Sequence, residues 1–305
     1  AARGSNGEGG AAKESCSGGG GTVVMTHGFE ASSNSGLSTD MATSFMKRGY
    51  DVACINFRGC SGEPNLTLKS YHLGFTDDLK QLLSVLRDRG TTREGPIYLS
   101  GFSLGANVVL KLLGELGEAA TDEYNIRGSA VIAPPLDVSK HYLCLERPGI
   151  SKSLYTPNFL KSVIPKARHI HDRLGAENVP FDMDRVEACT TVAEIETHLV
   201  SPIFGFRDNL DYYEQVSCGQ FLKGIGVPTL IINARDDPFF DPSVRPEEVV
   251  PYNPVRYVCE DHGGHLGYMF HTGEGGGEEE VGCVSWASNE LGRFLEHVDN
   301  SGASS

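Results

Sequence analysis

A serine alcohol becomes a nucleophile at neutral pH when an adjacent base takes its proton, most often a histidine oriented by a buried carboxylate. The chain carries all three residue types in the order serine, acid, histidine. Ser103 lies in Gly101-Phe102-Ser103-Leu104-Gly105, between the apolar run Ile97-Tyr98-Leu99 and the segment Ala106-Asn107-Val108-Val109-Leu110, where a strand is expected to turn sharply into a helix. Asp236 and Asp237 follow the strand-like run Leu230-Ile231-Ile232-Asn233, and His262 and His265 follow Tyr257-Val258-Cys259. Asp237 is favoured as the acid because Pro238 fixes the loop just beyond it, which leaves Asp236 to cap the turn. His265 is favoured as the base because Gly263-Gly264 gives its loop the freedom to approach the serine closely.

Acyl transfer also needs backbone N–H donors aimed at the developing oxyanion. The amide of Leu104, at the head of the helix after the serine, is the first candidate. The second is the amide of Phe29, in the loop His27-Gly28-Phe29-Glu30 that follows the apolar run Thr22 to Met25. His27 is expected to orient that loop rather than act as a base. The Gly-x-Ser-x-Gly pattern alone decides little, since a chain with 37 glycines and many serines produces about 0.4 such matches by chance. Its flanking strand and helix, and the acid and histidine at later strand ends, give it weight.

The elements that must position these groups alternate. Strand-length apolar runs occur at Thr22 to Met25, Val52 to Ile55, Ile97 to Leu99, Ser129 to Ile132, Thr229 to Ile232 and Arg256 to Val258. Between them, Leu79, Leu82, Leu83 and Leu86 after Asp77-Asp78, and Val108, Val109, Leu112, Leu113 and Leu116 after the serine, recur at helical spacing. The pattern predicts an α/β fold with a mostly parallel sheet and helices on both faces. It breaks between residues 134 and 221, where prolines punctuate helical stretches rich in Tyr, Phe and Leu. That segment is expected to form a helical lid over the carboxyl edge of the sheet, where ligands of open α/β folds bind. The expected organisation is therefore a core of residues 21–133 and 222–298, a lid of residues 134–221, and disordered tails at 1–20 and 299–305. The stretch Gly273 to Glu280 is expected to be a loop before the last helix.

Composition narrows the function. Of 305 residues, 39% are hydrophobic and 22% charged, which suits a globular protein with a sizeable core. A net charge of -14 without clustered Lys or Arg argues against sequence-independent binding to nucleic acid. Eight cysteines are scattered without Cys-x-x-Cys or zinc-like spacing, so buried thiols in a reducing compartment are expected. Neither a transmembrane run nor a secretory apolar segment is present in this chain, and a cytoplasmic or organelle-stromal location is expected. No metal or other cofactor is called for. His169 and His171 read as surface residues without carboxylate partners.

Several of these residues together resemble one family, the YheT-like α/β-hydrolases, which include plant embryogenesis-associated proteins and animal α/β-hydrolase-domain lipases and esterases. The resemblance is carried by His27-Gly28, Asn56-Phe57-Arg58-Gly59-Cys60-Ser61-Gly62-Glu63-Pro64-Asn65, Tyr71-His72-Leu73-Gly74, the elbow at Ser103, Ala234-Arg235-Asp236-Asp237-Pro238-Phe239 and Gly263-Gly264-His265-Leu266-Gly267. It runs from about Thr22 to Val298, and the Arg58 to Asn65 run is far more specific than the elbow. It implies the α/β-hydrolase fold and a serine hydrolase acting on carboxylic esters or acylglycerol-like lipids, with Ser103, Asp237 and His265 as triad. Arg58, Cys60 and His72 are typical of the family and are expected to be structural. Family members carry further strands ahead of the His-Gly strand, so the resemblance also implies that the first edge strands are missing here. The competing functions are a thioesterase with the same triad and a non-catalytic binding protein on the same scaffold.

Overall fold

The structure, a computed structural model, describes residues 20–89, 95–149, 151–241, 243–244, 254–271 and 283–302. Its centre is a sheet of six parallel strands, β1 (Thr22–Thr26), β2 (Asp51–Ile55), β3 (Ile97–Phe102), β4 (Ile126–Ile132), β5 (Thr229–Ala234) and β6 (Val255–Glu260). The strands form because each is a short, almost continuously apolar run that a sheet covered on both faces can bury. Alternate side chains go to opposite layers. Val24, Leu99, Val131 and Ile231 pack with Leu79 and Leu83 of helix α2 (Asp77–Arg89) and with helix α3 (Leu104–Leu116). Val23, Met25, Tyr98 and Ile232 pack instead with Met41 and Phe45 of helix α1 (Gly36–Met46) and with Leu291 and Leu295 of the helix Trp286–Gly302.

The strand order β2-β1-β3-β4-β5-β6 makes the chain leave β1 in one direction and return on its other side as β3. A crevice therefore opens beyond the carboxyl ends of β1 and β3, the place where open α/β sheets bind ligands. Phe29 and Ser103 sit on the two loops that flank it.

Between β4 and β5 the described residues form helices and no strand. The longest, Thr156–Leu174, contains Pro165, and two π-helical turns occur at Ser151–Tyr155 and Glu196–Val200. This insertion has an apolar cluster of its own, centred on Ala167, Phe181, Met183, Val186 and Ile195.

Two features depart from the sequence expectations. The last helix continues to Gly302, past the expected end at Val298, and the Tyr98 hydroxyl donates to Asp299 at 2.7 Å, tying this last stretch to the sheet. A two-stranded antiparallel ladder, β7 (Met269–His271) with β8 (Cys283–Ser285), precedes that helix. Short pairings of this kind leave no periodic signal. Residues 1–19 of the tail expected at 1–20, and the stretch 273–280, lie outside the described residues.

Candidate active site

Ser103 follows β3 directly, with φ 54° and ψ -123°. A non-glycine residue holds this conformation only where its surroundings over-determine it. Here the Ser103 N–H donates to the Ile132 carbonyl at 2.9 Å, and α3 begins at the next residue. The flanking glycines are required by close packing: a Cβ on Gly101 would lie 2.4 Å from Thr26 Oγ1, and one on Gly105 would lie 2.4 Å from the His27 carbonyl oxygen. The elbow is thus pressed against the end of β1, and the serine side chain is left partly exposed.

His265 bridges the serine and the acid. Its Nε2 lies 2.9 Å from Ser103 Oγ, and its Nδ1 lies 2.8 Å from Asp237 Oδ2. A carboxylate can only accept, so Nδ1 carries the hydrogen and Nε2 is left to accept the serine proton. Asp237 is buried, and its other oxygen accepts the Phe239 N–H at 2.8 Å. The Phe239 ring stands edge-on to the imidazole, centroids 4.7 Å apart, which limits rotation of His265.

Asp236 points elsewhere. Its Oδ1 accepts the N–H groups of Gly263 and Gly264 at 2.9 and 2.7 Å, and those bonds hold its carboxyl below the usual carboxylate range. It therefore anchors the loop that delivers His265. The neighbouring Gly264 has φ +55°, a left-handed position suited to glycine. His262 is almost fully exposed and lies 3.5 Å from Asp236.

The amides of Phe29 and Leu104 meet no acceptor among the described residues. Both residues border the same cavity. The loop that carries Phe29 is fixed by His27, whose Nε2 accepts the Phe57 N–H at 3.1 Å, so that Nδ1 donates to the Gly28 carbonyl 2.7 Å away. Burial lowers the pKa of His27 and keeps it neutral in this role.

The cavity, of about 280 Å³, runs from Phe29 and Leu104 beneath the inserted helices. Its walls include Leu68, Leu73, Phe159, Val163, Leu199 and Phe204. Two buried polar groups also border it. His72 is pushed down to about 3 by burial, and its Nδ1 accepts the Gly74 N–H at 3.1 Å. Glu196 is pushed up to about 8 by burial, so its carboxyl is protonated at neutral pH, and it accepts a hydrogen bond from the Tyr213 hydroxyl.

The structure thus brings Ser103, Asp237 and His265 together and leaves Asp236 and His262 outside the hydrogen-bond chain. Arg58 is engaged by Asp78 through two bonds of 2.8 and 2.6 Å and donates to the Lys69 carbonyl, a structural clamp. His171 pairs with exposed Asp172. Sequence reasoning missed Glu196, the Phe239 contact and Asn107. The Asn107 amide donates to the carbonyls of Leu73 and Val216 and accepts the Cys218 N–H, joining α3 to the loop before α2 and to the end of the insertion. An asparagine inside an otherwise apolar helical run was the available signal.

Residues 20–252 match the family described as serine aminopeptidase, S33. The putative esterase YheT of Escherichia coli is 32% identical over 255 residues, which cover 82% of this chain and 71% of that protein. The medium-chain fatty acid ethyl ester synthase/esterase 2 of Saccharomyces cerevisiae is 25% identical over 297 residues, 91% of this chain but 62% of the yeast protein, so the chain spans less than two thirds of that relative. Among solved structures, an esterase of Pyrococcus furiosus superposes with a TM-score of 0.51 at 17% identity over 92% of this chain and 83% of the other, a likeness of fold.

Proposed function

This chain belongs to the serine aminopeptidase S33 family and, within it, to the YheT-like α/β-hydrolases, and from that membership we propose that it cleaves carboxylic esters through an acyl-serine intermediate. The observation that carries this reading is the continuous chain from Ser103 Oγ through the His265 imidazole to Asp237, with links of 2.9 and 2.8 Å. Ser103 Oγ attacks the ester carbonyl carbon while His265 Nε2 takes its proton. The charge that develops on the carbonyl oxygen is met by the amides of Phe29 and Leu104. Collapse of the tetrahedral intermediate breaks the carbon–oxygen bond, and His265 returns the proton to the departing alcohol. Water, activated by the same imidazole, then releases the acid and restores Ser103.

The acyl group lies in the apolar cavity that opens beside Phe29 and Leu104, and the helical insertion acts as the lid that selects it. Its size and lining favour medium-length acyl chains over acetyl. The chemistry needs no metal or other cofactor. A panel of p-nitrophenyl esters from acetyl to palmitoyl, with monoacylglycerol alongside, tests the proposal: activity is expected to peak at intermediate length and to vanish in Ser103→Ala. Ester turnover that survives Ser103→Ala would refute it.

A further inference from the structure

Glu30, the residue after the Phe29 amide, has φ 55°, a left-handed conformation that a non-glycine residue holds only under constraint. The constraint is visible. Its N–H donates to the Tyr71 hydroxyl at 3.0 Å, and that hydroxyl donates to Glu30 Oε1 at 2.7 Å. The other oxygen, Oε2, accepts the Lys166 ammonium at 2.6 Å and the Ser162 hydroxyl. Burial alone would raise the Glu30 carboxyl, but the bonds from Lys166, Ser162 and Tyr71 outweigh it and hold the group below the usual range, so it is ionised.

Tyr71 stacks on Phe57, and Phe57 in turn bonds His27, so one side of the loop is anchored within the sheet region. The other side is anchored by the insertion: Ser162 and Lys166 both belong to the helix Thr156–Leu174, and Phe159 of that helix stacks on Phe29 at 4.4 Å. A partly exposed ion pair of this kind adds little to global stability. Its consequence is geometric and local.

We propose that Lys166 is a positioning residue: reaching from the inserted helix to Glu30, it holds the Phe29 amide toward the developing oxyanion and cancels the carboxylate charge beside it. Oxyanion stabilisation then depends on the seating of the inserted helix. The inference rests on Phe29 as an oxyanion donor in the proposed reaction. Without Lys166, the Glu30 carboxylate would be an unpaired negative charge next to a forming negative charge, and the loop would keep only the Ser162 bond and the Phe159 stack on the insertion side.

The test compares Lys166→Met, which keeps the aliphatic stem, with Lys166→Arg, which keeps the charge, in ester kinetics and in hydrogen exchange of the loop segment. Misplacing one oxyanion donor without deleting it is expected to lower kcat about 10- to 100-fold in Lys166→Met. KM should stay within about 2-fold, because Lys166 lines the cavity and methionine keeps its aliphatic stem there. Exchange at the Glu30 amide, which donates to Tyr71, should accelerate, Lys166→Arg should restore most of the rate, and Tm should move by no more than about 3 °C. Glu30→Gln combined with Lys166→Met should recover part of kcat, since the unpaired charge is gone. Unchanged kcat and exchange in Lys166→Met would overturn the proposal, as would a loss confined to KM. Should Ser103→Ala retain full activity, the serine mechanism falls separately, and the exchange measurement still decides whether Lys166 holds the loop.

Discussion

The sheet edge and the helical insertion are built by different rules. At the sheet edge each reactive group stands a few residues beyond a strand: Ser103 after β3, Asp237 after β5 and His265 after β6. The strands fix where those loops begin, so the chemistry is set by short-range sequence on a buried frame. In the insertion, Phe159, Glu196 and Tyr212 come from separate helices and are brought to the wall of one cavity only by tertiary packing. In the proposed reaction, chemistry is thereby held on a rigid frame, while selection of the acyl group is assigned to a layer with its own small core. Substitutions in the first region should strike kcat, and those in the second, the Lys166 brace to the Phe29 loop apart, should alter preference, stability and pH response.

The largest effect is expected at Ser103, the proposed nucleophile. Ser103→Ala is expected to lower kcat by about 10⁴-fold or more at unchanged Tm, measured by ester hydrolysis and differential scanning calorimetry. Asp237→Asn should come next, with a loss of about 10³- to 10⁴-fold through the wrong imidazole tautomer. Asp236→Asn should cost only about 10-fold, since it loosens the loop of His265 without leaving the imidazole unpaired. Equal losses for the two aspartates would erase the distinction drawn between them.

In the insertion, Glu196 predicts a pH response. Its folded pKa of about 8 stands above the ordinary carboxylate value of 4.5, so between those values the folded chain binds the extra proton. Stability associated with this group is complete below about pH 4.5, falls as pH rises through that window and is lost above about pH 8. Glu196→Gln, which still accepts from Tyr213, should match the native chain to within about 1 kcal/mol at pH 5 and exceed it by about 4 kcal/mol more at pH 9, read from urea unfolding. A constant difference across pH would show that burial does not hold the proton there. The smallest effect is expected for Phe159→Ala, which removes the ring stacked on Phe29 in the cavity wall. It should shift the preferred chain length with a change of about 3- to 10-fold in kcat/KM for the longest esters. An unchanged chain-length profile would contradict the assignment of selection to the insertion.

The two regions also differed in how much their sequence disclosed. All six sheet strands announce themselves as apolar runs bounded by turn residues, and the elbow, the paired aspartates and the Gly-Gly-His loop each adjoin one of them. That adjacency is why the candidate site could be read before any coordinates. The brace from Lys166 to Glu30 could not, because an ion pair across 136 positions leaves no periodic trace. The buried Glu196 was equally silent: a glutamate in a helical stretch reads as solvent-exposed until the packing of Tyr213 and the cavity around it are known. His27 and Arg58 lie between these cases, since both were expected to be structural, while their partners Phe57 and Asp78 were visible only in the fold.

The most direct measurement is fluorophosphonate labelling of the native chain followed by peptide mass mapping. The account predicts a single adduct on Ser103, abolished by Ser103→Ala and strongly slowed by Asp237→Asn. A folded protein that takes no label, or an adduct that persists after Ser103→Ala, would contradict it.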